Sequence, residues 1–259
     1  MRILLTNDDG IQAPGLAALF RAIRPLGEVF VVAPAQVQSA TSHAITFHRP
    51  VGTRREIVTC KTTAQSFEGI AVEGRPADCV KLGLTYLIPA PIDLVISGMN
   101  SGANVGINTI YSGTVAAARE AAFIGTPAIA VSLHIGERSL VQWDKAAMHA
   151  RGVIDSIIAA PLARHALLNI NVPILDAGEP RGVKVVPIST SPLVDTYTHT
   201  IDVEGRSHYQ APIGFSFQQT EPDTDVHALY DGYITVTPLH YDLTKHSEVT
   251  AWARRLDSK

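Results

Sequence analysis

Ile3-Leu4-Leu5-Thr6-Asn7-Asp8-Asp9-Gly10 decides how this chain is read, because an aliphatic run turns at once into a polar turn with two adjacent carboxylates. The run predicts a buried strand. Beyond it Leu16, Leu19, Phe20 and Ile23 recur at i, i+3, i+4 and i+7, which predicts an amphipathic helix with Pro14 in its first turn. Residues 29–33 supply the next strand. Strand, helix, strand in this order is the unit of a parallel sheet.

The same alternation runs on. Pro76 opens a helix whose Val80, Leu84 and Leu87 share a face, and residues 92–96 form a strand leading into a glycine-rich loop at 97–104. Residues 112–124 read as a helix of small side chains stopped by Gly125, 128–133 as a buried strand, 143–158 as a helix ended by Pro161, and 167–172 as a strand. After about residue 185 helical periodicity fades, and β-type alternation is expected around Tyr209 to Phe217. A strand at 233–237 then returns to the main body, before a helical tail at 247–256. The expected architecture is α/β: a Rossmann-like, doubly wound, mostly parallel sheet. Residues 1–185 are expected to be its α/β core, 186–232 a β-rich excursion, and 233–259 the returning strand and a C-terminal tail.

Composition narrows the function. Of 259 residues 17% are charged, below the roughly 25% usual in soluble proteins, and 21 basic against 24 acidic residues leave a net charge of −3. No electrostatic footprint for nucleic acid or an anionic membrane results, so a small-molecule ligand is favoured. No stretch approaches the roughly 18 apolar residues of a membrane span, and the N-terminal run is too short for a signal-peptide core, so a cytoplasmic protein is expected. Cys60 and Cys79 lack the spacing of a zinc site or disulfide framework and read as small buried hydrophobes.

In open α/β sheets ligands bind beyond the carboxyl ends of the strands, and three polar loops fall there. Asp8 and Asp9 repel one another at the first strand end unless a cation lies between them, and hard oxygen ligands suit Mg²⁺ or Mn²⁺. Capping the next helix, or an Asx turn before Gly10, is the other reading of the pair. Ser39 and His43 follow the second strand; either serves as a ligand or as an ordinary loop side chain. The third stretch has Gly98, Gly102 and Gly106 with Asn100 and Asn104. It ends in Ser112-Gly113-Thr114 at a helix N-terminus, which suits a phosphate. Dinucleotide-fold, P-loop and G-x-S-x-G signatures are absent, and the adjacent carboxylates are not the D-x-D of an aspartyl-phosphate phosphatase. Metal-activated water attacking a phosphoester is the reaction these residues suggest. An aspartyl nucleophile, or nucleotide binding without turnover, stays open.

At these residues the chain resembles the SurE family of metal-dependent nucleotidases. The resemblance rests on Leu4-Leu-Thr-Asn-Asp-Asp-Gly10, Gln38-Ser39, Pro76-Ala-Asp-Cys-Val-Lys-Leu82, Ile96-Ser-Gly-Met-Asn-Ser-Gly-Ala-Asn104, Tyr111-Ser-Gly-Thr-Val-Ala-Ala-Ala118 and Val236-Thr-Pro-Leu239. It implies one divalent cation, Mg²⁺ or Mn²⁺, per subunit on Asp8, Asp9, Ser39 and Asn100. Asn104, Ser112, Gly113 and Thr114 would face phosphate, and Asp8 and Asp9 would carry catalysis. Hydrolysis of nucleoside monophosphates is the implied reaction, extending to 3′-nucleotides and polyphosphate, in a homodimer or homotetramer joined through the C-terminal tail. Three positions depart from the family pattern. Ala40 stands where Gly is usual, which stiffens the metal loop; Arg75 stands where Thr is usual, which removes a helix cap; and Tyr209-Gln210 replaces a Tyr-Trp pair.

Overall fold

The aliphatic N-terminal run forms β1 (Arg2–Thr6), with Ile3, Leu4 and Leu5 fully buried. The remaining strands are β2 (Glu28–Pro34), β3 (Thr53–Thr59), β4 (Ser66–Val72), β5 (Leu94–Ser101), β6 (Ala128–Leu133), β7 (Leu167–Val172), β8 (Val183–Val185), β9 (Thr198–Ile201), β10 (Ser207–Gln210) and β11 (Ile234–Pro238). This computed structural model describes residues 1–59, 65–136, 141–176, 178–192, 197–211 and 220–257. Nine of the described strands make one sheet in the order β3-β4-β2-β1-β5-β6-β7-β11-β8, and β9 pairs β10 in a separate antiparallel ribbon. From β4 to β7 every pairing is parallel; β3 runs antiparallel on one side and β11 on the other. The chain winds from β1 to β2 in one direction and crosses back to β5 in the other. The switch point therefore lies between β1 and β5, where open α/β sheets bind ligands.

Helices cover both faces. They are α1 (Pro14–Ile23), α2 (Pro76–Leu82), α3 (Asn108–Tyr111), α4 (Gly113–Ile124), α5 (Trp143–Ile158), α6 (Asp225–Tyr230) and α7 (His246–Asp257). Leu16, Leu19 and Ile23 of α1 are fully buried in a core shared with α5, while Phe20 stacks on Phe67 of β4 at 3.9 Å. On the opposite face α2 and α4 pack together, and Ala117, Ala118, Ala121 and Ala122 bring α4 close to the sheet. α4 ends in a left-handed Gly125, whose N–H returns to the Ala121 and Ala122 carbonyls.

Several local expectations need correction. The glycine-rich stretch at 97–104 is not all loop, because β5 continues to Ser101 with a register shift against β6 between Ser97 and Asn100. Gly98 allows this, since a Cβ there would lie 2.1 Å from the Val131 carbonyl oxygen. The π-turn Gly83–Leu87 replaces regular helix beyond Leu82. The β3–β4 pair lacked a clear sequence signal because its outward face is polar, and α6 arises inside the stretch read as β-rich. Cys60 and residues 212–217 of the expected strand lie outside the described residues, whereas Cys79 is a free, buried thiol. No described helix is long and apolar enough to cross a membrane.

Candidate active site

Asp8 leaves the buried end of β1 only 5% exposed. Burial is the chief reason its carboxyl is pushed up to about 6. The Thr114 hydroxyl, donating to Oδ1, opposes the shift, and the charge of Asp9 adds to it. Asp9 is also raised by burial, although it accepts the Ser101 N–H at 2.9 Å. Two desolvated carboxylates side by side, with no described cationic side chain against them, form an unbalanced negative pocket.

Neutral oxygens stand on the neighbouring elements. Asn100 donates its amide to the Gly102 carbonyl at 2.7 Å, which leaves its Oδ1 as a free acceptor among the described residues. The Gln38 N–H bonds the Asp8 carbonyl at 2.7 Å, so Ser39, exposed, is the next residue along from that tie. Among the described residues there is no cluster of three or more His, Cys, Asp or Glu. Two carboxylates with amide and hydroxyl oxygens match a hard divalent ion, not zinc or copper.

The other side of the pocket is the start of α4. Ser112 caps the helix, its Oγ accepting the Val115 N–H at 3.0 Å, while the N–H groups of Gly113 and Thr114 remain without helical partners. Gly113 is needed for proximity: a Cβ there would lie 2.9 Å from Asp8 Cβ and 3.0 Å from Oδ2. Thr114 turns its side chain to Asp8, and its backbone N–H serves the same carboxylate. Asn104 is buried, with one side-chain amide N–H given to Ser132 Oγ at 2.8 Å and its backbone carbonyl oxygen held by Asn169 Nδ2 at 2.7 Å. Its second amide N–H is uncommitted among the described residues.

Supporting contacts escaped the sequence reading. Arg119 Nε donates to His43 Nδ1 at 2.9 Å, so the imidazole proton sits on Nε2 and points to Glu120, 2.8 Å away. Ser42 donates its N–H to the Tyr111 carbonyl at 3.0 Å and its Oγ–H to the Ile110 carbonyl at 2.8 Å. The Ser39 loop is thereby tied to α3 and α4. Asp225, fully buried, accepts the N–H groups of Gly106 at 2.9 Å and Ser189 at 2.8 Å, joining the glycine loop to the segment after β8. A lone Asp in a polar stretch gives no hint of such a role. Arg75 does lack a side-chain cap bond; instead Asp78 accepts the Arg75 N–H at 2.8 Å and the Thr46 N–H at 2.9 Å.

A family model described as Survival protein SurE matches residues 3–194. The 5′-nucleotidase SurE of Rhodopirellula baltica is 44% identical over 269 aligned residues, covering 98% of this chain and 100% of that protein. Its namesake in Pelotomaculum thermopropionicum is 43% identical over 252 residues, covering 95% and 92%. The crystal structure of the SurE protein from Aquifex aeolicus superposes with a TM-score of 0.79 at 33% identity, covering 97% of this chain and 98% of that one. The match takes in the carboxylate turn, the glycine loop and the start of α4, and the chain belongs to the SurE family.

Proposed function

We propose that this protein is a divalent-cation-dependent 5′-nucleotidase, a phosphoric monoester hydrolase that converts nucleoside monophosphates to nucleoside and phosphate. Its range extends to 3′-nucleotides and polyphosphate. The observation that carries this reading is the Asp8–Asp9 pair, buried and half-buried, at the β1/β5 switch point and against the start of α4. The names of the relatives, 5′-nucleotidase SurE, support the substrate class. In this reading Asp8, Asp9, Ser39 and Asn100 hold one Mg²⁺ or Mn²⁺ per subunit. Bound there, the ion would supply Lewis-acid polarisation of the phosphate and acidification of a water.

The chain's own groups do the rest. The Gly113 N–H, the Ser112 hydroxyl and the second Asn104 N–H bind phosphate oxygens and stabilise charge that develops on them, with Thr114 beside them at the helix start. Each well-placed donor of this kind is worth about 2.7–4 kcal/mol. Thr114 fixes Asp8 in one orientation through its hydroxyl, and the Ser101 N–H does the same for Asp9. Asp9, less buried than Asp8, is placed to accept a proton from attacking water. The cytoplasm, where mononucleotides are turned over, is the compartment this reading implies.

We further propose a homodimer or homotetramer joined through the tail. On α7 Val249, Trp252 and Leu256 follow at i, i+3 and i+7, all more than half exposed, and no residue of that helix is buried on the described body. The deciding experiment is phosphate release from 5′- and 3′-mononucleotides over a panel of divalent ions. Turnover that needs Mg²⁺ or Mn²⁺ is expected; undiminished turnover after exhaustive chelation would overturn the reading.

A further inference from the structure

A cleft of about 660 Å³ opens beyond the ends of β2 and β4, walled by Gln38, Phe47, His48, Arg49 and Arg75. It begins where the carboxylate site ends. Gln38 lines the cleft with its side chain while its backbone N–H bonds the Asp8 carbonyl at 2.7 Å. Arg75 precedes Pro76, whose Cγ lies 3.1 Å from where a Cβ on Gly113 would sit, against Asp8.

The cleft carries positive charge that the protein does not neutralise. Arg49 donates to the Glu73 carbonyl at 2.9 Å and to the Pro50 carbonyl at 3.5 Å; Arg75 donates to the Gln38 side-chain oxygen. All of these acceptors are uncharged, and among the described residues neither guanidinium pairs with a carboxylate. The Glu73 carboxylate, also in the wall, is engaged by Arg54 at 3.8 Å, and Arg54 pairs with Glu56 at 3.0 Å as well. Two unpaired guanidinium groups suit an anion with several oxygens better than an uncharged base. A base has an apolar alternative elsewhere, a cleft of about 340 Å³ lined by Ile107, Ile110, Tyr111 and Pro192.

We propose that the Arg49–Arg75 cleft binds a second phosphate carried on the nucleoside, making nucleoside bisphosphates the preferred substrates; this rests on the phosphomonoesterase reading above. The test compares kcat/KM for adenosine 3′,5′-bisphosphate and for AMP in the full-length protein with Mn²⁺. A preference of about tenfold or more for the bisphosphate is expected, the worth of one charge-assisted hydrogen bond. Arg49→Gln and Arg75→Gln should each reduce that ratio severalfold, and a ratio cancels losses common to both substrates. Calorimetric titration of the same two ligands without added metal reads the cleft independently of turnover. If neither ligand is hydrolysed yet the bisphosphate binds more tightly through both arginines, the hydrolase reading falls and the second-phosphate site stands. AMP turnover with equal kcat/KM and equal affinity for the two ligands would overturn the cleft proposal alone. So would a preference that survives in both variants.

Discussion

Asp8 holds a charge that the fold alone does not repay. It is buried, it faces Asp9, and its one direct side-chain support is the Thr114 hydroxyl. Removing a charge of this kind while keeping its shape relieves desolvation, whereas a bound cation needs that charge. Asp8→Asn is therefore expected to raise the unfolding free energy of metal-free protein by about 1–3 kcal/mol, read as a higher urea midpoint, because the amide oxygen still accepts from Thr114. The same variant should lose the stabilisation that Mn²⁺ gives the wild type, and at least about a hundredfold in phosphate release. A midpoint lower than wild type in chelator would contradict the account. Ala40 is a second strained residue. Its φ of 53° lies in the left-handed region, so the Ala that departs from the family pattern sits where glycine is comfortable.

Between elements, the site depends on how near α4 can come to β1. Gly113→Ala puts a methyl 2.9 Å from Asp8 Cβ and 3.1 Å from Pro76 Cγ, so the helix start must shift by a few tenths of an ångström. The expected result is a folded protein with kcat reduced at least about tenfold, since displaced donors lose most of their effect on the reacting phosphate. Circular dichroism and steady-state kinetics on one sample check both halves. The tie between the Ser39 loop and α4 is pH-dependent. Glu120 is held below the usual carboxylate range, first by the His43 hydrogen bond, with burial opposing and the Lys81 charge, 3.6 Å away, adding to it. A depressed carboxyl contributes stability above its unfolded value and loses it as pH falls through the lower folded value. Glu120→Gln should therefore lower the unfolding free energy at pH 7 by about 1–2 kcal/mol, read from urea titrations, with the deficit shrinking below about pH 4.5. A deficit that is constant from pH 7 to pH 3.5 would show that the tie is not ionic.

For the whole molecule the open matter is what covers α7. Tyr241, just before the tail, stacks on His165 at 4.8 Å and meets Phe123 edge-on at 5.9 Å, so the body ends in a packed ring. Asp242 then turns the chain, with His246 Nε2 2.6 Å from its carboxylate. A chain ending at Tyr241 should keep its fold and sediment as a smaller species than full-length protein. An unchanged assembly would remove the tail from the interface. Both results bear on the oligomer alone, because the residues proposed to hold the cation and phosphate lie in the turn after β1, the Ser39 loop, the end of β5 with the loop after it, and the start of α4, all before that cut in sequence.

The strand–helix alternation, the parallel core and the carboxylate turn were legible in the chain, because each rests on local periodicity or on a charge placed where burial makes it costly. Ile3 to Asp8, Ser112 to Thr114 and the small face of α4 needed no tertiary information. What only the tertiary structure decided depends on distances between segments remote in sequence. Thr114 spends its hydroxyl on Asp8; Asn104 is locked among Ser132, Asn169 and Asn171; β5 bulges past Ser97; and His43, Glu120 and Asp225 are ties between elements. The Arg49–Arg75 cleft belongs with these. A sequence shows that a guanidinium is present, but whether a carboxylate lies near enough to neutralise it is a property of the folded chain.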